Sequence, residues 1–500
     1  MTVEAILTGA PSTYTKMTWQ SIDWHKVEEQ VKRLQLRIAK AKRAGKHSKV
    51  KALQWILTHS FFAKLLAVKR VTQNRGSRTV GVDKVSWKKD IDKVQAAKSL
   101  KRRAYKALPL KRIYIPKKNG KRRPLGIPTM KDRAMQALYL LALEPISETQ
   151  ADRHSYGFRP YRSAADAIKQ TFFVLARKVS AQWILEGDIK GCFDNINHNW
   201  LQNNIPMDNK VLHQWLKAGY MEKQCLFPTE EGTPQGGTIS PTLANMTLDG
   251  LEKVVTNCTH PSNKVNVIRY ADDFIITANS QVVLEDIVKP AVVTFLRERG
   301  LTLSEEKTKI THISKGFNFL GFNVRKYKNE KLLIKPAKDS IKTFLKNVRE
   351  IIKFASALKT QAIIGQLNPK IRGWVYYYRH AVAKETFSYV HNCIIEALLR
   401  WIKRRHPNKN ATWRKNKYFR KCGLRQWVFF TRIYKKRTDT IEIFDLFNAN
   451  SVPIKRHIKI KSDANPFDPA FKEYFEKRQF ERQLKLSQKQ GGFAEKLLMI

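Results

Sequence analysis

Five hundred residues exceed one ordinary domain and predict about two to four packed units, with an apolar share of 42% that is ample for real cores and excludes a disordered tail. Ninety-four Lys and Arg against 42 Asp and Glu leave a net charge of +52, whose self-repulsion opposes compaction, so a polyanion is expected as partner. The five cysteines are scattered without a C-x-x-C pair, which excludes a disulfide framework and a zinc ribbon, and no apolar stretch approaches the ~20 residues that span a bilayer.

The N-terminus carries no secretory core, since Met1 to Ala10 is interrupted by Glu4. The chain is therefore expected in a bacterial cytoplasm or an organellar matrix or stroma, not secreted, and without a membrane partner. From Trp24 to Lys69 apolar residues recur at helical steps, as in Val27, Val31, Leu34 and Ile38, with Lys and Arg on the other faces. A mixed α/β region follows from about Ala107 to Arg325. Its expected strands are Arg112 to Ile115, Trp183 to Ile189, Val265 to Tyr270 and Phe274 to Ala278. Asp132 to Leu143 and Ser163 to Leu175 read as helices between them. Helical spacing returns from Ile341 to Trp401, and Arg404 to Ile500 is basic, aromatic and broken by Pro407, Pro453, Pro466 and Pro469.

Two strand ends carry the chemistry. The run from Trp183 ends in Gly187-Asp188-Ile189, and Tyr270-Ala271-Asp272-Asp273 leaves only a tight turn for two adjacent acids between apolar strands. Acids at a buried hairpin tip are costly unless cations neutralise them. Three converging carboxylates suit two Mg²⁺ ions, which activate an attacking oxygen and stabilise a leaving one in nucleotidyl transfer. Asp188 and Asp272 are expected to bridge the metals, with Asp273 as third carboxylate and the Ile189 carbonyl as a further ligand. Asp194 reads instead as a turn or helix-cap acid.

The Tyr270-Ala271-Asp272-Asp273 box and its neighbours resemble the ordered blocks of group II intron-encoded reverse transcriptases. The matching segments are Gly120 to Pro128, Ser155 to Pro160, the Asp188 segment, Gly232 to Pro241, Gly300 to Thr308 and Phe319 to Phe322. The resemblance implies a right-hand α/β polymerase with fingers and palm, a helical N-terminal extension, a helical thumb (maturase X domain) and a basic C-terminal region. Expected limits are 1–95 for an RNA-binding extension, 96–328 for fingers and palm, 329–405 for the thumb, and 406–500 for the maturase continuation and a DNA-binding-like region. Arg122, Arg123 and Arg159 suit an incoming triphosphate, because guanidinium forks give bidentate contacts; Lys121 reads as surface solubility. Phe193 occupies the position of the family's steric gate against a 2′-hydroxyl. Gln235 and Gly236 are expected against a base pair, Leu320-Gly321 as the turn that grips the primer end, and Lys307 on a backbone or phosphate.

Asn368 to Arg379 resembles the family's thumb, and Arg405 to Phe419 its continuation. Arg372, Trp374, Tyr377 and Arg379 are candidates for RNA contact, since basic and aromatic residues together suit unpaired bases. For Trp374 and Tyr377, packing on the palm is an equal alternative. Ile454 to Phe475 resembles the stretch that precedes an HNH endonuclease in relatives, but the C-x-x-C pairs of that nuclease are absent, so self-contained second-strand cleavage is not expected. The expected activity is RNA-directed DNA synthesis with two Mg²⁺ ions and dNTPs, joined to binding of the intron RNA for splicing and retromobility at a DNA target and primer. A maturase that does not polymerise and a reverse transcriptase recruited to host defence or repair remain alternatives. The oligomeric state is left between monomer and homodimer.

Overall fold

The computed structural model describes residues 18–116, 120, 122–435 and 439–490. The readings on Met1 to Ala10 and Lys121 lie outside the described residues. The first expected helical stretch is three helices, α1 (Trp24–Arg43), α2 (His47–His59) and α3 (Phe61–Thr72), followed by α4 (Asp90–Ser99). Asp23 starts α1 by accepting from the Lys26 N–H at 3.1 Å, and Lys40, Lys42 and Arg43 in its last turn complement the helix dipole. Extended backbone at Ser60 separates α2 from α3. After the hairpin β1 (Leu110–Pro116) and β2 (Arg122–Ile127) comes α5 (Met130–Gln150), begun by Thr129, whose hydroxyl caps the Asp132 N–H. Helix α5 is buried almost all round, as an interior helix must be, and shares one apolar core with Ile38, Leu65 and Val68 of the N-terminal helices. Burying each such side chain contributes about 1.5–3 kcal/mol.

Helix α6 (Ala164–Leu175) leads to β3 (Trp183–Asp188), then to α7 (Cys192–Asn195), α8 (His198–Asn204) and α9 (Asn209–Leu216). The short strands β4 (Tyr220–Glu222) and β5 (Cys225–Phe227) extend the first hairpin into a sheet of order β2-β1-β4-β5. Helices α10 (Ser240–Leu248) and α11 (Leu251–Asn257) precede the central hairpin β6 (Asn266–Tyr270) and β7 (Asp273–Ala278); α12 (Lys289–Arg297) and β8 (Lys309–His312) follow. The sheet order β6-β7-β3-β8 brings β3 beside β7, antiparallel, with Asp188 opposite Asp273. Opposite residues in such a pair are neighbours, so register alone joins the two acidic segments.

A second core begins with the sheet β9 (Phe317–Phe319), β10 (Phe322–Lys326) and β11 (Leu332–Pro336) and is closed by α13 (Lys338–Phe354), α14 (Thr360–Tyr378) and α15 (Lys384–Arg405). Beyond α16 (Ala411–Tyr418) the chain forms an antiparallel sheet, β12 (Phe419–Cys422), β13 (Arg425–Lys435) and β14 (Thr440–Asp445), which the sequence reading did not anticipate. The alternation that marks a strand is broken in β13 by Phe429 and Phe430, both buried. Residues 454–468 then run back irregularly along α5 and α6 before α17 (Lys472–Gln490). Asp166 of α6 anchors this strap, accepting from the Ile460 N–H and Arg478 and bonding His457. The stretch expected to resemble a DNA-binding region is thus docked on the palm through part of its length.

Candidate active site

Tyr270 pairs with Asp273, so β6 and β7 are joined by the two residues Ala271 and Asp272. Ala271 has φ +58° where such a hairpin turn ordinarily takes glycine. The turn is held by its surroundings. Tyr156 donates its N–H to the Arg269 carbonyl at 2.9 Å, and Asn245 Nδ2 donates to the Gly157 carbonyl at 2.8 Å. A Cβ on Gly157 would lie 2.4 Å from the Ala271 nitrogen, so only glycine lets this segment rest against the turn. Gly187 serves a similar need: its missing Cβ makes room for the Phe274 ring beside Asp188.

Burial pushes Asp273 up to about 7, with the charges of Asp272 and Asp188 adding to it. Burial likewise raises Asp272, and the Asp188 charge adds again. Lys307 lies on Asp188, Nζ to Oδ2 2.7 Å, and is itself 64% exposed. The Ser304 N–H donates to the Asp188 carbonyl and the Lys190 N–H to the Thr302 carbonyl. These bonds flank Ile189, so its own carbonyl faces away from the 302–304 segment. Among the described residues no three His, Cys, Asp or Glu side chains are already gathered as a metal cage. Magnesium sites that complete their coordination with water and substrate phosphates need no such cage, and mutually repelling, part-buried acids fit that open type.

A cleft of about 940 Å³ opens over these acids. It collects Arg123, Asp188, Ile189, Phe193, Gln235, Gly236, Asp272 and Lys307 from the expected set. Asp273 and Arg122 are not in its wall; Arg122 precedes Arg123 on a strand and so points the other way. Phe193 meets Phe158 edge to face, centroids 6.1 Å apart. Gln235 donates from Nε2 to both carboxylate oxygens of Asp194 at 2.8 Å, while its main-chain carbonyl accepts from the Gly126 N–H. Asp194 is therefore more than the turn or cap acid expected; Asn197 caps the next helix. Gly236, at φ +128°, is needed for the approach of its own loop to β2, because a Cβ there would lie 2.6 Å from the Gly126 carbonyl oxygen.

Arg159 requires correction. It is buried, and its guanidinium is spent on Glu148 (Nε–Oε1 and Nη2–Oε2, both 2.9 Å) and on the carbonyls of Asp152 and Ser155. It belongs with Arg269, paired to Asp249 at 2.5 Å, to a buried ionic layer beneath the hairpin. Sequence reasoning missed Glu148, Asp249 and Arg269; acids on α5 and just after α10 give no sign of their distant partners.

The Leu320-Gly321 turn has φ +50° and +78°, a strained setting for leucine. Tyr377 donates its hydroxyl to the Leu320 carbonyl at 2.8 Å and Tyr378 to the Gly321 carbonyl at 3.1 Å. Tyr377 is thereby tied to the palm, the alternative kept open for it. Trp374 stacks on Phe344, centroids 4.8 Å apart, and is a packing residue between α13 and α14. Arg372 lies over the Phe447 ring and Arg379 over Tyr376.

Three family models match: the N-terminal domain of reverse transcriptase over residues 19–100, reverse transcriptase (RNA-dependent DNA polymerase) over 115–324, and the group II intron maturase-specific domain over 341–419. Group II intron-encoded protein LtrA of Lactococcus lactis subsp. cremoris is 33% identical over 52% of this chain and 54% of that protein. Protein YkfC of Escherichia coli (strain K12) is 34% identical over 43% of this chain and 67% of that protein. The chain thus spans about half the length of the first of these relatives. Among solved structures, telomerase from Candida albicans with a fragment of telomeric RNA is similar at 12% identity and TM-score 0.38, covering 61% of this chain and 63% of that one.

Proposed function

Because the chain belongs to the group II intron-encoded reverse transcriptase and maturase family, we propose that it copies RNA into DNA from a primer and binds its intron RNA to assist splicing and retromobility. The observation that carries the reading is the convergence of Asp188, Asp272 and Asp273 under a cleft walled by Arg123, Phe193 and Gln235. Asp188 and Asp272, with Asp273 and the Ile189 carbonyl, would hold two Mg²⁺ ions. Bound there, the metal supplies activation of the primer 3′ oxygen and charge stabilisation of the departing pyrophosphate.

The chain's own groups divide the remaining work. Arg123 brings a fork-shaped cation to the triphosphate, and Lys307 adds a second positive charge beside Asp188. Phe193 offers an aromatic wall with which a 2′-hydroxyl would collide. Asp194 fixes the Gln235 amide by taking its Nε2, so the Gln235 oxygen is the atom turned to a partner in the cleft. Leu320 and Gly321, tied down by the two tyrosines, position the primer end. Residues 1–95 form the RNA-binding extension in this account, 96–328 the fingers and palm, 329–405 the thumb and 406–500 the maturase continuation. Arg372 and Arg379 are the thumb's cationic contacts with RNA. No described helix is long and apolar enough to cross a membrane, and the proposed setting is the cytoplasm or an organellar matrix.

The test is primer extension on an RNA template with dNTPs and Mg²⁺, comparing wild type with Asp272→Ala. Extension by wild type that is lost in the variant is expected. A folded wild type that binds intron RNA but extends nothing would move the function to the maturase alone.

A further inference from the structure

Two joined recesses on the N-terminal side share no lining residue with the polymerase cleft. The larger, about 610 Å³, lies between α2 and the α8–α9 connection, with Tyr139 and Ala142 of α5 in its wall. The smaller, about 210 Å³, adjoins it through Thr58, His59, Arg102 and Tyr139. The larger recess is a built one: Gln54 Nε2 donates to the Pro206 carbonyl at 2.8 Å, tying α2 to the opposite wall. Along α2, Trp55 and His59 stand one turn apart and stack, centroids 4.2 Å and planes 25° apart. His59 Nδ1 lies 2.8 Å from the Trp55 carbonyl, which holds the pair in place. Trp55 nevertheless remains 54% exposed.

Around this aromatic plate the charge is mostly positive. Lys51, Arg102 and Lys210 line the larger recess, and Lys64, Lys101 and Arg103 the smaller. Asp208 is the acid in these walls, and Arg102 already pairs with it. Burial lowers the Lys64 pKa and the neighbouring Lys101 charge lowers it further, so an arriving anion relieves a cost the fold carries. A merely solvated basic face needs neither a concave wall nor a half-exposed indole held by stacking.

From this juxtaposition we infer that the Trp55–His59 recess is a binding site for an unpaired nucleotide of an RNA strand, with the base stacked on Trp55 and the flanking phosphates on the cations of both recesses. A single exposed aromatic in a recess suits a base splayed out of a strand, not a closed duplex. A free nucleotide shares the chemistry, but cations spread over two recesses suit the successive phosphates of a strand. The inference rests on RNA being a partner and names where one of its unpaired residues is held.

The experiment uses the full chain and a single-stranded RNA carrying one 5-iodouridine, irradiated and mapped by mass spectrometry of the adducts. An adduct on Trp55 or His59 is expected. Unlabelled single-stranded RNA should suppress it, and UMP at the same nucleotide concentration should not. Trp55→Ala should weaken that RNA about fivefold or more, the low end for one base–aromatic stack, while Trp55→Phe keeps most of the affinity. Adducts confined to other segments, equal competition by UMP, or unchanged affinity in Trp55→Ala would each overturn the site. Primer extension in the same preparations separates the two claims: its presence without an adduct on Trp55 or His59 rejects this site and leaves the polymerase intact.

Discussion

Phe193 stands in the cleft wall with Phe158 packed against it, and the role proposed for its ring is to exclude a nucleotide's 2′-hydroxyl. Replacing Phe193 with Ala is expected to reduce discrimination between dNTP and NTP by roughly tenfold or more, the size of effect that pocket shape alone supplies. Competition between the two in single-nucleotide extension measures it, and unchanged discrimination rejects the gate. Arg159 makes the opposite case. Its removal strands Glu148 in the interior, so Arg159→Ala should cost about 3–5 kcal/mol in urea unfolding. Lys should not rescue it, because a point charge cannot reproduce the bidentate pair. A raised KM for dNTP with stability intact would restore the triphosphate role. The difference between these residues also marks what a sequence discloses. Acids at the ends of apolar strands announce themselves by their cost, and Asp188, Asp272 and Asp273 were readable that way. An arginine does not announce which anion it faces, and Glu148 lies on another element.

At the scale of elements, the Leu320-Gly321 turn is tied to helix α14. Tyr377 and Tyr378 each supply one hydroxyl to a turn carbonyl, a bond that contributes about 0.5–1.5 kcal/mol. The double variant Tyr377→Phe with Tyr378→Phe should raise the KM for primer several-fold, with a smaller effect on kcat at saturating primer. An unchanged KM for primer would mean that the turn holds its shape without them. The strands of the palm were legible because their apolar runs are short and bounded by turn residues. The β12–β14 sheet was not, because two adjacent buried phenylalanines break the alternation of β13.

At the scale of the molecule, two cores meet at the palm, and the 454–468 strap crosses back to α6. No local pattern could reveal that crossing, since its contacts join residues far apart in the chain. It carries a pH signature through His380, which burial pushes down to about 4, with the charges of His457 and Arg379 adding to the effect and Asp166 opposing it. The unfolded chain takes up this proton near pH ~6.5. The folded state therefore keeps its full contribution above ~6.5 and loses it as pH falls toward 4, by up to about 3 kcal/mol. Thermal unfolding across that window should show the loss, and His380→Gln should flatten it; an equally steep loss in the variant would assign it to other groups.

The proposed activity requires the three aspartates to gather divalent metal at the meeting of β3 and the β6–β7 turn. The most direct measurement replaces Mg²⁺ with Fe²⁺, generates hydroxyl radicals with ascorbate and peroxide, and maps where the chain is cut. Cuts near Asp188 and Asp272, suppressed by excess Mg²⁺ and lost in Asp188→Ala with Asp272→Ala, are the predicted result. Cuts elsewhere, or at the same places in the double variant, would contradict it.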